Sequence, residues 1–76
     1  MATNQKKFPR QGKLAGKLKQ YDVSVPEIAK AVSKSPELIY AIISGHVDYK
    51  ASIARKIKTY ISKKYKVDLT LDDIIE

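Results

Sequence analysis

Residues 24–45 read "SVPEIAKAVSKSPELIYAIISG", and in them a serine and a proline open a helix twice in succession. At Ser24 and again at Ser35 the side-chain oxygen can accept a backbone N–H of the first turn. Pro26 and Pro36 then stand where a helix has N–H groups without partners, so the missing donor costs nothing. Glu27, three residues after Ser24, has the spacing of a capping box, in which the glutamate reaches back to the cap. Val25, Ile28, Ala29 and Val32 share one face of a helix over 25–32, with Glu27, Lys30 and Ala31 outside. "SKS" at 33–35 interrupts the pattern. In the helix over 36–44, Leu38, Ile39, Ile42 and Ile43 cover roughly 140° of the wheel, and Glu37, Tyr40, Ala41 and Ser44 occupy the opposite side. Gly45 can close that helix in the left-handed conformation. Two short capped helices joined by a brief turn, apolar on their facing sides, have the pattern of a helix-turn-helix.

On either side of this segment the signals are plainer. Residues 1–10, "MATNQKKFPR", lack apolar periodicity and read as a flexible basic arm. Leu14 and Leu18, one turn apart, with Ala15 beside them, mark a helix over 11–21 that Gly12 and Gly16 make dependent on tertiary packing. Downstream, "HVDYK" is a loop in which Asp48 is the expected cap of a helix over 50–64. There Ile53, Ile57 and Ile61 form a ridge flanked by Ala54 and Tyr60, while Arg55, Lys56, Thr59, Ser62 and Lys63 face away. Thr70 with Asp73 resembles a capping box built on the shorter acid and opens a last helix over 70–75, whose Leu71, Ile74 and Ile75 cover the core. The expectation is an all-α, compact five-helix bundle occupying residues 11–76.

A chain of 76 residues accommodates one domain, and with no cysteine it has neither disulfides nor thiolate metal sites to support a small core. Its net charge of +7 is unevenly spread. Residues 1–20 carry +6, 21–49 carry −2, 50–66 carry +7 and 67–76 carry −4. Single lysines ordinarily lie on solvated helix surface. Two blocks without a compensating acid point further, to nucleic acid or another polyanion. The apolar runs are too short for a membrane span or a signal peptide, so a cytoplasmic protein is expected. One histidine, no cysteine and no glycine-rich phosphate loop leave no basis for an enzyme, a metal site or a cofactor. His46 reads as an exposed loop residue, and Tyr60 and Tyr65 as core edges.

Residues 24–45 resemble the helix-turn-helix of the phage repressor and Cro-type family, also called the XRE family. In it a capped "xxELA" segment leads through a "G-V-S" turn into a helix ending near "NG". Ser24 matches the first cap, Glu27, Ile28 and Ala29 the "ELA", Ser35 the second cap, Ile39 and Ile42 the core, and Ser44 with Gly45 the closing "NG". "VDLTLDDII" at 67–75 is similar to the family's closing "V-S-L-D-E-L-L", so the likeness spans roughly residues 11–75. Two departures fall in the turn: Ser33 stands where the family usually has a glycine, and Lys34 where a small apolar residue usually tucks in.

The resemblance implies a lambda-repressor-like DNA-binding domain, a transcription regulator in a bacterial or phage-infected cell. Its helix 36–44 would enter the major groove of double-stranded DNA, with Ser35, Pro36, Glu37, Tyr40 and Ala41 at the bases. Ser24, Val25 and Ser35 at helix N-termini, and Lys34, Ser44, His46, Tyr49 and Lys50 in the turn and following loop, would contact phosphate. Lys6, Lys7, Arg10, Lys13 and Lys17 would add phosphate contacts from the arm and first helix. A homodimer on two-fold sites about 34 Å apart is a further implication. The helix-36–44 chemistry also fits another class. Pro36 lacks a side-chain donor, Glu37 only accepts, and an acidic, tyrosine-bearing helix suits a basic DNA-reading surface. An antirepressor that occupies a cognate repressor's DNA-binding domain is the alternative.

Overall fold

A computed structural model describes residues 8–76. Four α-helices run in order: α1 (Gly12–Gln20), α2 (Val25–Ala31), α3 (Pro36–Ser44) and α4 (Ala51–Tyr65). Among the described residues there is no strand. The helix expected over 70–75 is one 3-10 turn at Leu71–Asp73. Six residues are too few to offset the cost of nucleating an α-helix. The Asp73 carboxylate instead closes the turn by accepting from the Thr70 backbone N–H (2.8 Å) and hydroxyl (3.2 Å). Ile74 is fully buried, and Leu71 and Ile75 pack at the edge of the core, as the pattern predicts.

The core is aliphatic. Leu14 and Leu18 from α1, Ile28 and Ala29 from α2, Ile39 and Ile42 from α3, and Ile53, Ala54, Ile57 and Ile61 from α4 are all buried. Leu38 and Ile43, at the margins of the α3 stripe, are only half-buried. With no disulfide, this burial is the main favourable term, at about 25 cal/mol per Å² of apolar surface.

Each α-helix ends the same way. A left-handed residue follows the last turn, and its own N–H and that of the next residue fold back on carbonyls of that turn. Val23 N–H donates to Leu18 O (2.8 Å), Lys34 to Ala29 (2.8 Å), His46 to Ala41 (2.9 Å) and Val67 to Ser62 (3.1 Å). The left-handed residues are Asp22 (φ 56°), Ser33 (φ 60°), Gly45 (φ 83°) and Lys66 (φ 53°). Only one is glycine. Side chains other than glycine, asparagine and aspartate hold this conformation at a cost of about 1 kcal/mol, so Ser33 and Lys66 store strain.

The two chain ends meet at α1. Gln11 provides no side-chain cap and the first turn has no acid, yet Lys13 N–H donates to Glu76 Oε2 at 2.7 Å. Gln11, 3% exposed, donates from Nε2 to Pro9 O (3.3 Å) and accepts from Glu76 N–H (2.9 Å) through Oε1. Residues 8–10, within the segment expected as an arm, make hydrogen bonds to the fold. Phe8 N–H donates to Gly45 O (3.1 Å) and Gln11 N–H to Ile43 O (2.9 Å), which straps this segment across the end of α3. The remainder of the expected arm, with Lys6 and Lys7, lies outside the described residues.

Two capping expectations change. α4 begins at Ala51, so its cap position falls on Lys50 and Asp48 lies too far upstream to serve. Ser24 Oγ does accept Glu27 N–H (3.2 Å), but the Glu27 carboxylate is taken mainly by Tyr60 and Lys64 of α4. The charge-assisted pair to another helix is the larger effect, and the Ser24 backbone N–H adds a smaller one.

Gly45 is held by two constraints at once: its φ is +83°, and a Cβ there would overlap the Phe8 carbonyl oxygen. Gly45→Ala is expected to destabilise the fold by about 2 kcal/mol through backbone strain and displacement of the strap. Ser33→Gly should stabilise it by about 1 kcal/mol, which is roughly 4–8 °C in Tm for a domain this small. Thermal and urea unfolding of both variants check the two signs.

Candidate functional site

The outer face of α3 is built by its own ends. Ser35 Oγ accepts Leu38 N–H (3.2 Å), fixing the first turn, and Gly45 fixes the last. Between them Ile39 and Ile42 turn into the core, which forces Glu37 and Tyr40 outward. Glu37 is exposed, and Tyr40 at 56% exposure is the large apolar side chain most open to solvent among the described residues. Pro36, Ala41 and Ser44 are half-buried beside them. α2 lies against α3 with Ala29 1% exposed, a small residue where the two helices approach closely.

The expected phosphate contacts separate into groups. Arg10, Ser44 and His46 line one cleft of about 340 Å³ together with Ile43, at the C-terminal end of α3. The strap at residues 8–10 brings Arg10 there. His46 is exposed, as read from the sequence, and so are Lys34, Ser24, Ser35 and Lys50, while Val25 is half-buried at the start of α2. Lys13 and Lys17 are placed differently. Lys13 Nζ donates to Asp72 O (3.2 Å), and both lysines help to hold the Asp73 carboxyl below its usual range, after the larger effect of the Thr70 backbone N–H. They face the acidic C-terminal turn. Tyr49 is half-buried against the core, with its hydroxyl buried without a hydrogen-bond partner, and burial pushes its pKa up.

A polar joint between α2 and α4 escaped the sequence reading. Glu27 accepts from Tyr60 Oη and from Lys64 Nζ, which also lies 5.8 Å from the Tyr60 ring centre and 5.5 Å from that of Tyr65. Tyr65 in turn stacks at a tilt on Tyr21, 5.2 Å between centroids. The Lys64 and Tyr60 hydrogen bonds lower the Glu27 pKa, and Glu27 raises those of Tyr60 and Lys64. Beside this joint, Ala31, Arg55, Lys56, Thr59 and Tyr60 line a second cleft of about 350 Å³. The acid-free block 50–66 was the available signal for it.

Among the described residues no cluster of histidine, cysteine or acidic side chains is arranged to hold a metal ion, and no helix is long and apolar enough to cross a membrane. The chain matches no protein-family model, no curated protein and no solved structure.

The Glu27 joint sets a pH dependence. A carboxyl with a depressed folded-state pKa contributes stability that is fully present above its unfolded value and is lost as pH falls through the folded one. Glu27→Gln is therefore expected to lower Tm at neutral pH, with the gap to the parent closing as the medium is acidified below the ordinary glutamate range. Tm measured against pH for the two proteins checks it.

Proposed function

We propose that the chain is a helix-turn-helix DNA-binding regulator of the phage repressor and Cro type, in which α2 and α3 form the motif and α3 enters the major groove. The observation that carries this reading is the connection between α2 and α3. Ser33 takes a left-handed φ of 60° at the position where the resembled family usually has its turn glycine, and Ser35 immediately caps α3. The connection positions two short helices and leaves one face of the second without a partner inside the fold.

On that face Glu37 can accept a hydrogen bond from a cytosine amino group, and Tyr40 can donate one or lie against a thymine methyl. Ala41 offers a small apolar contact. Around it, Arg10, Lys34, His46 and Lys50 supply cations for phosphate, and the first turns of α2 and α3 supply backbone N–H groups. These flanking contacts set register and orientation. Sequence preference then rests on very few side chains.

The exposed Glu37 beside the exposed Tyr40 also supports a second reading, an antirepressor whose α3 docks on the DNA-binding domain of a cognate repressor. The net negative charge of residues 21–49 suits a basic partner surface.

Glu37→Gln separates the two, because it removes the charge and keeps the shape. A DNA reader is expected to keep or gain non-specific DNA affinity while its preference at one base pair changes by ~1–3 kcal/mol. An antirepressor is expected to lose ~2 kcal/mol or more of partner affinity. Titration of the protein and this variant against duplex DNA from its own locus, and against the DNA-binding domain of a neighbouring repressor, gives both numbers. Tight protein binding with only sequence-blind DNA affinity would overturn the regulator reading.

A further inference from the structure

We propose that the outward face of α4 is a second surface for the phosphodiester backbone of double-stranded DNA, separate from the face of α3. The identity of the polyanion rests on the DNA-binding reading; the surface itself does not. Ser52, Arg55, Lys56, Thr59 and Lys63 are all exposed and fall within about 100° of the α4 wheel. At 1.5 Å rise per residue they form a stripe of roughly 16 Å. The cleft between α2 and α4 opens onto it, with Arg55, Lys56 and Thr59 on one side and Ala31 on the other.

The electrostatics of this face are one-signed. Residues 50–66 contain seven basic side chains and no acid. The acid that α2 brings nearby, Glu27, is already paired with Lys64 and hydrogen-bonded by Tyr60. Among the described residues Arg55, Lys56 and Lys63 form no ion pair. Repulsion among these three cations is relieved only by an external anion or by salt. The residues lining this cleft and those lining the one at Arg10 and His46 do not overlap.

The chemistry selects the kind of anion. A membrane-surface helix needs an apolar face to sink into the headgroup boundary, but the apolar residues of α4, Ile53, Ala54, Ile57 and Ile61, are at most 8% exposed and belong to the core. An acidic protein partner is held best by an aromatic or arginine anchor in a well-packed pocket, and the arginine at this cleft, Arg55, is exposed. The one aromatic side chain at this cleft, Tyr60, has its hydroxyl committed to Glu27. Exposed cations interleaved with hydroxyls along a stripe of roughly 16 Å suit regularly spaced phosphates that are gripped without regard to sequence.

The test replaces Arg55, Lys56 and Lys63 together by alanine in the full chain. Alanine favours helix, so α4 is not weakened, and the same three positions changed to glutamine keep side-chain length without charge. Affinity is measured for the own-locus duplex and a scrambled duplex of equal length across a salt series, with Tyr40→Ala in parallel. The slope of log affinity against log salt is expected to become shallower by roughly 3 in both triple variants, about 0.9 per phosphate released. The ratio of affinities for the two duplexes should stay as in the parent. An unchanged slope in folded triple variants overturns the proposal. So does binding to phosphatidylglycerol vesicles or to polyglutamate that the triple variants lose while their duplex slope is unaltered. If the slope falls as expected but Tyr40→Ala leaves the duplex ratio untouched, the α4 surface stands and the α3 reading fails.

Discussion

The left-handed backbone at Ser33 is the constraint on which the rest of the molecule depends. α2 ends at Ala31 and α3 starts at Pro36, so the chain must reverse within residues 32–35. It does so because Ser33 accepts a positive φ and Lys34 N–H folds back to Ala29 O at 2.8 Å. That closure brings Ile28 and Ala29 of α2 against Ile39 and Ile42 of α3, all within 1% of complete burial. The outer side of α3 is what remains. A single strained residue thus sets both the packing of the core and the surface that the proposed function uses.

Charge is organised on top of this scaffold by region. Lys13 Nζ donates to the Asp72 carbonyl, Glu27 takes up Lys64, and Glu76 caps α1 through the Lys13 N–H. Those cations are spent on holding the fold together. Exposed basic groups lie around the ends of α3, at Arg10, Lys34, His46 and Lys50, and along α4, at Arg55, Lys56 and Lys63, with Lys13, Lys19, Lys30, Lys64 and Lys66 exposed elsewhere. A net charge spread evenly would have given general attraction to polyanions. Within this wider distribution, two groups of cations flank a mildly acidic α3 and line α4.

The sequence made most of this legible, because caps and apolar periodicity are local signals. Ser24, Ser35 and Gly45 act in the structure as their positions imply. What it hid were interactions between residues far apart in the chain. Nothing near Gln11 reveals that Glu76 supplies the missing cap of α1, and nothing near Phe8 reveals that its N–H meets Gly45 O. Tyr49 looked like one more loop residue, and only the packed fold shows its hydroxyl buried. The Glu27 carboxylate expected to serve the box at Ser24 is shared for the same reason, since Lys64 and Tyr60 reach it only once α4 is in place.

The central claim is that α3 meets bases and does not merely sit near phosphate. Amide chemical-shift mapping of the full chain, titrated with an own-locus duplex and separately with a scrambled duplex, tests it most directly. The account predicts perturbations across residues 35–44 that appear with the own-locus duplex and not with the scrambled one, with Lys34 and His46 responding to both. Identical shifts with the two duplexes, leaving Glu37, Tyr40 and Ala41 unmoved, would contradict it.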